Sequence, residues 1–157
     1  QLRHRLRTRL AWAGLGSPTP GVWVTPDPAK QDEGARVIAD LELTEVTSSF
    51  VGPFGAIGAE RDVVAQAWDL AGIEAAYADF LATFGSTAPS TPAEIMTAQI
   101  HLVHAWRRFP FLDPALPAEL LPAEWAGARA AALFGTLHAR WDGPAGRHWS
   151  ALVGDAG

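Results

Sequence analysis

The four residues Thr91-Pro92-Ala93-Glu94 leave the backbone that follows them little choice but a helix. Threonine can cap the first free N–H groups, proline is pre-set for the first helical position, and a glutamate three residues after the cap closes a capping box. The residues beyond keep helical spacing. Ile95, Met96, Ile100, Leu102, Val103 and Trp106 are read as the buried part of this helix. Glu94, Thr97, His101, His104 and Arg108 fall at steps of three and four and share the other face. Pro110 is expected to end it, and Pro117 to start a short helical turn running to Leu121. Residues 125–141 read as a last long helix with Leu133 and Leu137 inward, broken by Gly143-Pro144.

Helical periodicity already dominates from Glu60. Val63, Val64, Ala67 and Trp68 form one apolar face, and Asp69 is placed to cap a second helix carrying Leu70, Ile73, Tyr77, Phe80, Leu81 and Phe84 up to Gly85. The first third of the chain is different. Leu2, Leu6, Leu10 and Ala13 predict a helix ended at Gly14, and residues 14–21 read as a turn-rich connection. Val22-Trp23-Val24-Thr25 predicts a short strand. Asp27-Pro28 predicts the start of a helix through Val37, Ile38 and Leu41. Residues 45–51 predict a second strand, stopped by Gly52-Pro53. The order gives an α+β unit over residues 1–60 and a helical unit over residues 61–157. Two short strands make a poor sheet, so a further strand is expected upstream of Gln1 or from a partner chain. That the chain opens on Gln1 rather than methionine agrees with residues preceding it.

Composition removes several classes of function. A chain of 157 residues, 48% hydrophobic and 18% charged, is folded rather than disordered. It has no apolar run near the roughly 18 residues of a membrane span, and its Arg-rich start is not that of a signal peptide. A cytoplasmic address is expected. With no cysteine there is no disulfide, thiolate metal site or thiol nucleophile. Residues 1–9 hold Arg3, Arg5, Arg7 and Arg9 without an acid, although the whole chain is at −5. The remainder is therefore acidic and a poor non-specific surface for nucleic acid. The arginine run itself reads chiefly as a solvated helix face, with contact to DNA or an acidic partner as the alternative.

Catalytic patterns are missing. His101 and His104 share a helix face and would suit a metal, but there is no HExxH, and Glu94 is explained by capping. A metal-assisted hydrolase using the two histidines is thus a weak alternative. No GxSxG, GxGxxG or phosphate-binding loop occurs either, so no catalytic residue, metal ligand or cofactor is assigned. What remains is the dense segment from His101 to Trp125. Arg107 and Arg108 beside Trp106, Phe109 and Phe111 combine cationic donors with stackable area, which suits an anionic ligand with an aromatic or acyl body. The competing reading is that the rings are core and the arginines answer the negative end of the helix dipole.

Several runs carry a resemblance. Trp12-Ala13-Gly14-Leu15-Gly16, Gly21-Val22-Trp23-Val24-Thr25-Pro26 and Ala67-Trp68-Asp69-Leu70 resemble PaaX-like transcriptional regulators. So, most specifically, do residues 104–117 and Leu120-Leu121-Pro122-Ala123-Glu124-Trp125. The resemblance covers nearly the whole chain. It implies a DNA-binding winged helix that this chain lacks, a ferredoxin-like middle domain here missing its first strand, and a helical C-terminal domain. It further implies repression of phenylacetate catabolism genes, relieved by phenylacetyl-CoA, and a homodimer without membrane contact. On this reading the chain is the effector-sensing and dimerising portion of such a repressor. Arg107 and Arg108 would pair with the phosphates of a CoA thioester, His104 would add a hydrogen bond, and Trp106 and Phe109 would line or underlie the acyl group. The alternative is a purely structural module of a regulator with another ligand or none.

Overall fold

The computed structural model describes residues 1–154, which fall into two compact units. The first comprises Gln1–Leu70 with Pro110–Ala123, and the second Ala71–Phe109 with the chain from Glu124 onward. The class is α+β, helix-rich with one two-stranded sheet among the described residues.

In the first unit helix α1 (Leu2–Trp12) ends at Ala13, and Gly14 follows with a left-handed φ of 81°. The chain then enters a hairpin of β1 (Gly16–Thr19) and β2 (Val22–Val24), paired antiparallel with Gly16 opposite Val24 and Thr19 opposite Val22. β2 lies where its β-branched and aromatic residues predict. β1 occupies part of the stretch read as a connection. Pro18 is tolerated there because an edge strand does not need every N–H, and Pro20-Gly21 supplies the tight turn, Gly21 at a φ of 86°.

Asp27 caps as expected, its side chain accepting from the Ala29 N–H at 2.9 Å, but it caps a 3-10 turn over Pro28–Lys30 that leads into α2 (Gln31–Asp40). Leu10, Val37 and Leu41 are buried together, with Leu6, Leu15, Trp23, Ile38 and Leu43 packed around them. α3 (Glu60–Ala67) packs on β1. A side chain at Gly16 would collide with the indole of Trp68, so glycine is what allows this approach. Lys30 Nζ donates to the carbonyl of Pro114 at 3.0 Å, tying the 110–123 segment to this unit.

The second strand expected over residues 45–51 does not form. Thr44–Val46 is a 3-10 turn, and residues 47–59 hold no regular element. Thr47 is extended, with φ −124° and ψ 138°. A strand also needs a neighbour to take its N–H and C=O groups, and among the described residues the sheet stops at β1 and β2. Phe50 accordingly stands 93% exposed.

The second unit is helical. α4 (Leu70–Gly85) starts directly after Asp69 and buries Ile73, Tyr77, Phe80 and Phe84. α5 (Pro92–Trp106) opens with the predicted capping box. Thr91 Oγ1 accepts from the Glu94 N–H at 3.2 Å, while Glu94 Oε2 accepts from the N–H of Thr91 and from the N–H and hydroxyl of Ser90. α5 packs along α7 (Gly127–Gly154). The buried residues of α5 are Ala98, Gln99 and Leu102, which corrects the expected inner face: Ile100 and Val103 are exposed. The helix is rotated so that Gln99 Nε2 reaches His138 Nδ1 and Asp142 Oδ1 on α7. α5 stops at Trp106, ahead of Pro110, and the short α6 (Phe109–Leu112) takes Pro110 into its first turn, where a missing N–H costs nothing.

α7 corrects another expectation. It runs unbroken through Pro144, although an internal proline removes a backbone hydrogen bond at about 3 kcal/mol. Trp141, one turn earlier, and Ala145, the next residue, are both buried. At its start the Ala126 N–H donates to Glu74 Oε2 at 2.9 Å.

The capping box yields a pH prediction. The N–H of Ser90 first, then its hydroxyl and the N–H of Thr91, lower the Glu94 carboxyl from 4.5 to about 2. A depressed carboxylate stabilises the fold at pH values above its unfolded pKa, and that contribution fades as pH falls through the folded value. The melting temperature of Glu94→Gln should therefore lie below wild type at pH 7. The gap should close between about pH 4.5 and pH 2, as followed by circular dichroism.

Candidate functional site

The second unit has at its centre a connected set of rings. Tyr77 and Phe109 stack at 4.2 Å between centroids with planes 8° apart. Trp106 stacks on Phe134 of α7 at 4.6 Å, and Phe80 meets Trp106 at 5.3 Å and Phe109 edge-on at 5.7 Å. Trp106 and Phe109 turn to the same cluster, their ring centroids 5.1 Å apart, and Phe109 is 1% exposed. The two residues between them, Arg107 and Arg108, are thereby left on the outside. Arg107 is the C-cap of α5, its N–H bonded to the carbonyl of Val103, and the Arg108 guanidinium lies 5.2 Å from the Phe109 ring centroid.

Beside this turn lies an open groove of about 480 Å³. α4 contributes Asp79, Phe80, Thr83 and Phe84; α5 and its C-terminal turn contribute His101, His104, Ala105, Arg107 and Arg108. Phe80 and Phe84 are buried and supply the apolar surface, while the histidines, the arginines and Asp79 are exposed. One carboxylate faces two guanidinium groups, so the net charge of the lining is positive. The carbonyls at the α5 C-terminus favour those cations where they stand. The lining thus combines an apolar floor of Phe80 and Phe84 with the cationic donors of Arg107 and Arg108.

Of the five residues singled out for ligand contact, His104, Arg107 and Arg108 line this groove, whereas Trp106 and Phe109 belong to the ring cluster behind Phe80. Sequence reasoning missed Phe80, Thr83 and Phe84 as lining residues. Their i, i+3, i+4 spacing marks one face of α4 and was legible, but not which helix that face meets. His101, which opens the segment singled out in the sequence but was not among those five residues, also lines the groove. Among the described residues no three His, Cys, Asp or Glu side chains come together as a metal site.

The two halves match two domain models of one family. Residues 1–64 match the PaaX protein central Cas2-like domain, and residues 68–151 the PaaX-like protein C-terminal domain. The chain belongs to the PaaX-like family. It is similar to the transcriptional repressor PaaX of Escherichia coli (strain K12), at 28% identity over 146 residues, covering 86% of this chain and 46% of that protein. Its fold is similar to that of the uncharacterized protein Rv0674 from Mycobacterium tuberculosis, with a TM-score of 0.62 and 25% identity, over 93% of this chain and 56% of that one. The chain thus spans about half the length of both.

The ring cluster makes its own prediction. Phe109→Ala should destabilise the second unit by about 3–5 kcal/mol, the usual loss for a buried phenylalanine. Urea unfolding followed by near-ultraviolet circular dichroism checks it.

Proposed function

We propose that this chain is the effector-sensing portion of a transcriptional repressor, and that its groove binds an aryl- or acyl-CoA thioester of the phenylacetyl-CoA kind. One observation carries the reading: Arg107 and Arg108 line the same groove as the buried rings of Phe80 and Phe84. The arginines pair with phosphates of the CoA moiety, His104 adds a hydrogen bond, and the acyl group lies against the two phenylalanines. Trp106 and Phe109 act behind this surface by fixing its position. Similarity to a protein named a transcriptional repressor supports the regulatory role, which requires no catalysis and no cofactor.

In the first unit the order α1-β1-β2-α2 supports a ferredoxin-like arrangement, of which residues 1–60 hold one helix–hairpin–helix part. We place DNA reading in a winged helix outside these 157 residues, and the whole repressor in the cytoplasm. No described helix is long and apolar enough to cross a membrane. We further propose a homodimer, supported by the exposed apolar stripe Trp149, Leu152 and Val153 near the end of α7.

Titration of the intrinsic tryptophan fluorescence with phenylacetyl-CoA tests the site, because Trp106 lies behind Phe80. Saturable change with the thioester, absent with phenylacetate, is expected. Arg107→Ala/Arg108→Ala should weaken binding tenfold or more with the helical circular dichroism unchanged. Unchanged affinity in the double variant removes the arginines from the site. A folded wild type that ignores every acyl-CoA tried would reassign this unit to a structural role.

A further inference from the structure

Helix α1 carries a charge pattern that works against its own stability. Its first turn holds Arg3 and no acid, although the N-terminus of a helix favours negative charge. Arg3 and Arg7, and again Arg5 and Arg9, are like charges four residues apart, a spacing that destabilises a helix. Arg9 is relieved by an ion pair with Asp40 of α2. Arg3, Arg5 and Arg7 are exposed and, among the described residues, lack an acidic partner.

Their placement on the helix is regular. At about 100° per residue, Arg3 and Arg7 lie on one flank of the inward Leu6, Leu10 and Ala13, and Arg5 and Arg9 on the opposite flank. Between the flanks, on the outer side, stand His4, Ala11, the half-buried Thr8 and the exposed Trp12, with no acid among them. A helix with arginines on both sides of a ridge free of acids can meet negative charge along two edges at once. Duplex DNA presents such edges, its two phosphate backbones, with one charge per roughly 1.7 Å of axis, so several phosphates lie within reach of an 11-residue helix.

We infer that α1 is an auxiliary contact to the phosphate backbones of duplex DNA, independent of base sequence, made by Arg3, Arg5 and Arg7. The inference rests on the reading of the chain as part of a transcription regulator but not on the thioester groove. Outside α1 the chain is acidic in sum, and its exposed arginine pair, Arg107 and Arg108, belongs to the groove of the second unit. A sequence-specific domain elsewhere in a regulator would gain from it a second anchor and a fixed orientation on the duplex.

The test is fluorescence anisotropy of a labelled 20-base-pair duplex of arbitrary sequence, titrated with the 157-residue chain across a series of salt concentrations. Wild type should bind at low salt. The R3Q/R5Q/R7Q variant should lose at least tenfold in affinity, and its slope of log K against log salt should become shallower by about 2.7. Glutamine keeps helix propensity, so α1 should survive the change, as circular dichroism will show. The variant R61Q/R129Q/R140Q has the same net charge and should bind as wild type. Absence of duplex binding by wild type overturns the inference, even if the chain captures polyglutamate or associates with itself. Equal losses in the two variants overturn it too, since net charge alone would then explain the binding. Thioester titration of R3Q/R5Q/R7Q, expected to match wild type, keeps the two readings separable.

Discussion

The stack of Tyr77 on Phe109 is the contact from which the arrangement of the second unit follows. It joins the middle of α4 to the residue where α5 hands over to α6, and Trp106 extends it through Phe134 into α7. Every helix of the unit is therefore tied to one set of rings. Ring contacts of this kind contribute about 0.5–1.5 kcal/mol each beyond the burial of their area, and they prefer particular geometries. That directionality matters more for the groove than the energy does. With Trp106 and Phe109 locked inward, the two residues between them have only the outer side left, which is where the arginines stand.

Polar contacts then refine what the rings establish. Gln99 is the one buried polar residue among those described, and its amide nitrogen joins α5 to His138 and Asp142 of α7. A buried amide must find partners, so it constrains the rotation of α5 more narrowly than leucine would. That rotation places His101 and His104 toward the groove and leaves Ile100 and Val103 outside. Glu74 and Glu94 act at the starts of α7 and α5, where free backbone N–H groups need an acceptor.

How much was legible in advance varied with the range of the interaction. The capping box at Thr91–Glu94 was fully legible because all its partners lie within four residues. So was β2, from its β-branched and aromatic side chains. The hairpin partner β1 was not, since Ser17-Pro18-Thr19 has no strand signature and is drawn into pairing by Val22–Val24. Residues 45–51 show the converse: strand-forming side chains without a neighbour make no strand. The groove was half legible. His104, Arg107 and Arg108 stood out by chemistry, whereas Phe80 and Phe84 looked like any core aromatics.

The sequence by itself determined the local elements: helix starts, the Pro20-Gly21 turn, the positive charge of α1 and the clustering of arginines with aromatics before Pro110. These depend on neighbours a few residues apart, where backbone sterics and short hydrogen bonds decide. Only the tertiary structure decided which side of α5 is buried, that α7 continues through Pro144, and that Trp106 and Phe109 lie behind the groove. Those outcomes depend on side chains up to 43 residues apart, such as Gln99 and Asp142, meeting at one place. Periodicity marks an apolar face, but the partner that covers it is selected by packing.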